Sequence, residues 1–74
     1  MDYVRMGQIL RERREEYCFT QERLAGSVGI SPALYGRIER GEHRVDLETL
    51  VRLAEALGLS LDLLVDRKGR QLFL

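Results

Sequence analysis

Apolar side chains recur along the chain at intervals of three and four residues, the spacing that places them on one face of an α-helix. The first such run contains Met6, Ile9 and Leu10, and it predicts a helix that begins at about Val4 or Met6 and ends at Glu16. Further runs with the same spacing follow, separated by glycine and by capping residues. The pattern therefore predicts an all-α protein.

Two short helical patterns joined by a tight turn form the centre of the chain. Thr20 is suited to cap the first of them, residues 21–28, and Gly29 permits the left-handed backbone that ends a helix without a Cβ clash. The buried face of this helix is expected to consist of Leu24, Ala25 and Val28. Ile30 then fills the turn.

The second pattern begins with a hydroxyl cap and a proline. Ser31 can accept a backbone N–H, and Pro32 stands at the first helical position, where its missing N–H costs nothing. The helix is expected to end before Gly41, with a buried face formed by Leu34, Tyr35 and Ile38. Residues 20–41 thus predict a helix-turn-helix.

Two more helices are predicted after this motif. Asp46 is a candidate cap for residues 47–57, and Ser60 for a short helix over residues 61–65. The apolar stripe of the longer helix is expected to contain Leu47, Leu50, Val51, Ala54 and Leu57. The last nine residues, 66–74, change character and read as a separate tail.

Length and charge bound the possibilities. A chain of 74 residues has room for one small core, and a partner subunit would add to its stability. Its formal net charge is 0, which is not typical of a nucleic-acid binder. All basic residues except Lys68 are arginine, however, the side chain suited to bidentate contacts with phosphate and guanine. A neutral chain could still bind nucleic acid if its arginines were concentrated on one face and its acidic residues on another.

The central stretch resembles the DNA-binding core of the Cro/C1-type (XRE) helix-turn-helix regulators. The matching residues are Thr20, Gln21, Leu24, Ala25, Gly29, Ile30, Ser31, Ile38, Glu39, Arg40 and Gly41. The flanking Arg11-x-x-Arg14 and Leu57-Gly58-Leu59 segments also fit. The resemblance implies a compact five-helix lambda-repressor-like domain over residues 1–65, with its helix-turn-helix at helices 2 and 3.

The resemblance also implies which residues meet DNA. The recognition helix, residues 31–40, would lie in the major groove. By position, the DNA-binding residues are Gln21, Ser31, Pro32, Ala33, Gly36, Arg37, Arg40, His43 and Arg44. Arg37 would either read a guanine or clamp a phosphate. Gly36 would either let the backbone approach DNA closely or be a tolerated substitution.

Three other positions carry expectations from the resemblance. Arg14 is expected to pair with Glu39, which would tie the first helix to the recognition helix. Arg13, where an apolar residue is common, is expected to cover core with its stem while its head reaches water. Cys18 stands where glycine is common, and its expected role is structural, with redox sensing as the alternative.

The resemblance implies a homodimer that binds double-stranded DNA at a near-palindromic operator and regulates transcription. The expected dimer interface is Leu59, Leu61, Leu64, Leu72 and Phe73. The alternative is a protein-interaction module, such as an antitoxin that binds a toxin. No enzymatic activity, cofactor, metal or small-molecule ligand is expected, since no motif supports one. Without a membrane span or signal peptide, a cytoplasmic location is expected.

Overall fold

The computed structural model describes residues 1–65, which form five α-helices and no strand. Their bounds are α1 Tyr3–Glu16, α2 Gln21–Val28, α3 Pro32–Glu39, α4 Leu47–Leu57 and α5 Leu61–Leu64. The five-helix prediction, with the helix-turn-helix at α2 and α3, is confirmed for this part of the chain. Over the same residues, none of the helices has the length and apolar character needed to cross a membrane.

The helices begin and end where local chemistry predicts. The hydroxyls of Thr20, Ser31 and Ser60 each accept a backbone N–H from three residues further on, at 3.0–3.2 Å. Gly29 and Gly58 end α2 and α4 in the left-handed conformation, with φ of 81° and 64°. These caps confirm the predicted bounds of α2 and the start of α3.

Two details of the helix predictions are wrong. The first helix begins earlier than expected, at Tyr3, because the Asp2 carboxylate caps it by accepting the N–H of Arg5 at 2.9 Å. In α4, Leu47 is 67% exposed and Leu53 is completely buried. The buried stripe therefore runs through Leu50, Leu53, Ala54 and Leu57, and the leucine in the first turn lies outside it.

All five helices contribute to one core. It is built around Tyr35, Met6 and Leu53, which are at most 1% exposed. The remaining buried apolar members are Leu10, Leu24, Ala25, Val28, Ile38, Leu50, Ala54, Leu57, Leu59 and Leu64. Most of α3 packs between α1 and α2, so the core sets the orientation of the recognition helix.

The α1–α3 crossing is close because a glycine stands at it. A Cβ atom on Gly7 would overlap the carbonyl oxygen of Glu39 and would lie 2.7 Å from that of Ile38. The loop after α3 also needs glycine, since Gly41 has a φ of 76° and a Cβ there would lie 2.7 Å from Val4 Cα. Backbone contact thus positions the C-terminal end of α3 against the first two turns of α1.

Several arginines satisfy the free carbonyl groups at helix C-termini. Arg13 donates from Nη1 to the carbonyls of Leu57 and Gly58, at 3.0 and 3.3 Å, and so caps α4. Arg52 approaches the end of α2 and Arg5 the end of α5 in the same way. The Arg13 side chain remains 29% exposed, and its guanidinium binds these two carbonyl groups, a role that the sequence pattern does not indicate.

The glycine crossing yields a stability prediction. Gly7→Ala should lower the free energy of unfolding by about 2–3 kcal/mol, because α1 and α3 must move apart to admit the methyl group. Gly26→Ala is the matched control: it lies in α2 with nothing within 4 Å of its Cβ position. That variant should gain up to about 1 kcal/mol from better helix propensity. Urea unfolding of both variants makes the measurement, and a stabilising Gly7→Ala would contradict the close crossing.

Candidate nucleic-acid interface

The first turn of α3 presents small side chains to solvent. Ser31, Pro32 and Ala33 are exposed, as is Arg37 one turn later, while Tyr35 and Ile38 are buried on the opposite side. The fold therefore gathers four of the predicted DNA-contacting residues on one open surface. Gly36, predicted to belong to this set, is buried beneath other side chains.

Arginines surround the exposed side of α3. The side chains of Arg37 and Arg44 are exposed and form no ion pair or hydrogen bond within residues 1–65. Arg40 is also exposed, and its Nε lies 3.2 Å from Glu42 Oε2. His43 is exposed, with Nδ1 2.6 Å from the Arg44 carbonyl oxygen. The second half of α3 and the loop after it thus carry cationic groups that are free or weakly paired.

Gln21, one of the predicted DNA-binding residues, occupies the first turn of α2. Its amide nitrogen Nε2 donates to Glu39 Oε1 at 2.9 Å, so this donor already has a partner inside the protein. A phosphate contact by the Gln21 amide would need that hydrogen bond to be exchanged. Glutamine therefore joins the N-terminus of α2 to the end of α3, a role that local sequence spacing does not indicate.

Arg14 and Glu39 form the ion pair that links α1 to α3. Arg14 Nε lies 2.6 Å from Glu39 Oε2, and its Nη2 lies 3.3 Å from Oε1. The two side chains are only 12% and 4% exposed. Arg14 Nη1 also donates to the carbonyl of Phe19, at 2.8 Å, which draws the α1–α2 connection into the same network.

The electrostatics of this network keep both partners charged. Burial alone would raise the pKa of Glu39, but hydrogen bonds from Arg14 and Gln21 outweigh it and hold that pKa below its ordinary value. The same carboxylate raises the pKa of Arg14. Burial, together with nearby Glu39, raises the pKa of Tyr35, so this buried hydroxyl stays neutral.

The turn between α1 and α2 contains a cysteine in a glycine-like conformation. Cys18 has a φ of 60° and is exposed. Its N–H donates to the Glu15 carbonyl at 3.0 Å, which helps to end α1. A left-handed backbone at a residue with a Cβ costs on the order of 1 kcal/mol relative to glycine. The turn thus keeps the glycine geometry and accepts some strain.

The expected dimer set requires correction. Leu59 and Leu64 are 9% and 1% exposed and fill the core of their own chain, so they are not available to a partner. Leu61 is half-buried, and Leu63, which was not in the expected set, is 42% exposed. A four-residue helix presents too few turns for its buried side to be assigned from spacing. Leu72 and Phe73 lie outside the described residues.

Within residues 1–65, no three side chains of His, Cys, Asp or Glu lie close enough together to hold a metal ion.

A shallow groove of about 230 Å³ lies between α1 and the start of α5. Acidic, basic and apolar side chains line it in similar numbers: Arg5, Ile9, Glu12, Arg13, Glu16, Leu59 and Leu63. The groove does not include any of the predicted DNA-binding residues, which lie on α2, on α3 and in the loop after α3.

Comparison with known proteins agrees with this geometry. The sequence profile of the helix-turn-helix family matches residues 10–64. A solved structure of the restriction-modification controller protein C.AhdI from Aeromonas hydrophila superposes with a TM-score of 0.80 at 38% identity. The match covers 86% of this chain and 97% of that one. The P22 c2 repressor, solved in complex with a synthetic operator, gives a TM-score of 0.79 at 34% identity, over 82% of this chain and 92% of that one.

A curated relative matches over a shorter share of its own length. The prophage-derived HTH-type transcriptional regulator YonR of Bacillus subtilis is 37% identical over 59 residues. The match covers 80% of this chain and 55% of YonR. The chain thus spans about half the length of such relatives.

The buried ion pair yields a second prediction. Glu39→Gln should lower the free energy of unfolding by about 3 kcal/mol at neutral pH, because it leaves the largely buried Arg14 without its counter-ion. Glu48→Gln is the control, since its pair with Arg52 is more than half exposed on both sides. That change should cost less than about 1 kcal/mol.

The stability difference between wild type and Glu39→Gln should depend on pH. The pKa of Glu39 is lowered in the folded chain from an ordinary value of 4.5, so the unfolded chain takes up this proton first as the pH falls. The stability advantage of wild type over Glu39→Gln should be complete above about pH 4.5 and should shrink below it, as pH falls through the lowered pKa. Urea unfolding at a series of pH values measures this, and an advantage independent of pH would contradict the assignment.

Proposed function

Because the chain belongs to the helix-turn-helix family of Cro/C1-type regulators, we propose that it binds double-stranded DNA sequence-specifically and regulates transcription as a homodimer. In this proposal α3 lies in the major groove, with its N-terminal turn toward base edges. The observation that carries it is the exposed surface of Ser31, Pro32, Ala33 and Arg37, bordered by cationic groups that have no strong partner in residues 1–65.

Charge distribution supports DNA as the partner despite the formal net charge of 0. The acidic residue within α3, Glu39, is buried and neutralised by Arg14. Elsewhere, Glu15 pairs with Arg11 on α1 and Glu48 pairs with Arg52 on α4. The exposed side of α3 is therefore more cationic than the whole chain. This segregation favours DNA over the alternative of a protein-interaction module.

The individual contacts follow from position. Arg37 is the exposed side chain on α3 that can form a bidentate contact with guanine, while Pro32 and Ala33 offer apolar contact to a thymine methyl group. Arg44, and His43 beside it, would approach phosphates in the loop after α3. Gln21 would reach a phosphate near the N-terminus of α2 after releasing Glu39.

A dimer is proposed because one such surface offers few base contacts. Two copies related by a two-fold axis would place their recognition helices in successive major grooves, about 34 Å apart, on a near-palindromic operator. Leu63 on the exposed side of α5, together with the exposed part of the half-buried Leu61, would contribute to the contact between the two chains. Leu72 and Phe73 in the tail are proposed to add to it.

The third prediction tests DNA binding directly. Titration with a fluorescent random-sequence duplex should show binding at low salt that weakens steeply as salt rises. Replacing Arg37, Arg40 and Arg44 by alanine should weaken binding at low salt at least tenfold. It should also reduce the slope of log Kd against log salt by about one for each phosphate that the variant no longer neutralises.

Arg11→Ala is the control for this experiment. Arg11 is an exposed arginine on α1, paired with Glu15 and outside the helix-turn-helix. Its removal changes net charge as a single Arg37→Ala does and should alter affinity less than twofold. If wild-type protein shows no binding at low salt, DNA is not its ligand and a protein partner becomes the better proposal. If wild type binds and the triple variant binds equally well, the exposed side of α3 is not the surface that contacts DNA.

A further inference from the structure

The outward side of α3 contains a glycine that other side chains cover. Gly36 follows Ala33 by three residues and precedes Arg40 by four, so the three positions share one stripe of the helix. Ala33 and Arg37 are exposed, yet Gly36 between them is buried. The side chains that cover Gly36 come from the next turn of α3 and from α2.

Arg40 and Gln21 are the side chains that lie over it. A Cβ atom on Gly36 would stand 3.3 Å from Arg40 Nη1 and 3.8 Å from Gln21 Oε1. Helical side chains lean toward the N-terminus and cover the preceding turn, which is how Arg40 reaches back from the C-cap of α3. Its Nε is also paired with Glu42 at 3.2 Å, a contact that restrains the same guanidinium.

We propose that Gly36 is a positioning residue that seats the Arg40 guanidinium on the DNA-facing side of α3, where Arg40 reads a base. The inference rests on the proposed function, since it requires α3 to enter the major groove. Arg40 then contacts a base beside the one that Arg37 contacts. Because guanidinium groups recognise the N7 and O6 atoms of guanine, each half-site should contain two G·C pairs read by these two arginines.

Glycine leaves room for this position of the guanidinium, which a methyl group would crowd. A contact of 3.3 Å is shorter than ordinary van der Waals contact of 3.4–4 Å, so a methyl group at position 36 must displace Arg40 Nη1 by a few tenths of an ångström. A bidentate hydrogen bond depends on the plane and position of the guanidinium, which makes it sensitive to such a shift. Alanine would otherwise favour the helix, so the substitution separates stability from recognition.

The test is a double-mutant cycle in DNA binding. Wild type, Gly36→Ala, Arg40→Ala and the double variant are titrated with a duplex that the wild type has selected from a random pool, and with single-base variants of it. Arg40→Ala should weaken binding roughly tenfold and Gly36→Ala roughly threefold, both by losing discrimination at the same G·C pair. In the Arg40→Ala background, Gly36→Ala should change Kd by less than about twofold.

Stability and a control variant complete the experiment. Gly36→Ala should melt at or above the wild-type temperature, and Gly26→Ala, which meets no neighbouring atom, should bind as wild type does. Equal weakening by Gly36→Ala with and without Arg40 would overturn the proposal, because it would mean that DNA approaches the Gly36 backbone itself. Unchanged binding by Gly36→Ala would also overturn it. Absence of any wild-type binding would instead refute the proposed function, and this inference with it.

Discussion

The attachment of α3 to α1 is the constraint on which the rest of the structure depends. Gly7 lets the two backbones touch, and the Arg14–Glu39 pair closes the same crossing with two hydrogen bonds inside the protein. Gln21 adds the N-terminus of α2 to this network. Since α3 is only eight residues long, it could not hold its own geometry in water, and tertiary contacts must supply it. The backbone contact and the hydrogen bonds on the buried side of α3 therefore determine the position of its exposed side.

The distribution of arginine partners explains how a neutral chain can present a cationic surface. Within residues 1–65, arginines away from α3 are occupied by carbonyl groups at helix ends, as for Arg13, by acidic neighbours, as for Arg52, or by an aromatic ring, as for Arg23. Near the exposed side of α3, Arg37 and Arg44 have no partner in residues 1–65, and Arg40 has only an exposed pair with Glu42. The net charge counts all of these arginines equally, whereas a ligand on the exposed side of α3 meets only the arginines beside it. Composition alone therefore underestimates the suitability of this face for DNA.

Features that depend on contacts between residues close in sequence could be predicted from the sequence, whereas features that depend on contacts between distant residues could not. Helix ends at Thr20, Gly29 and Ser31 could be predicted because each cap bonds within three or four residues of itself. The burial of Leu53 rather than Leu47 could not, since the apolar positions of α4 permit two neighbouring stripes and only the packed partners select one. The hydrogen bond from Gln21 to Glu39 joins residues 18 apart, so no local pattern reveals it. Sequence indicated which arginines surround α3, but which of them are free depends on the fold.

Selection of bound duplexes from a random pool tests the central claim most directly, because it examines binding, symmetry and spacing together. The account predicts enrichment of two inverted half-sites whose centres lie about one helical turn apart, roughly 10 base pairs, with G·C pairs at the positions that face α3. Each half-site would then correspond to one copy of the chain. Recovery of a pool with no enriched sequence, or of a single unpaired half-site, would contradict a dimeric, sequence-specific regulator.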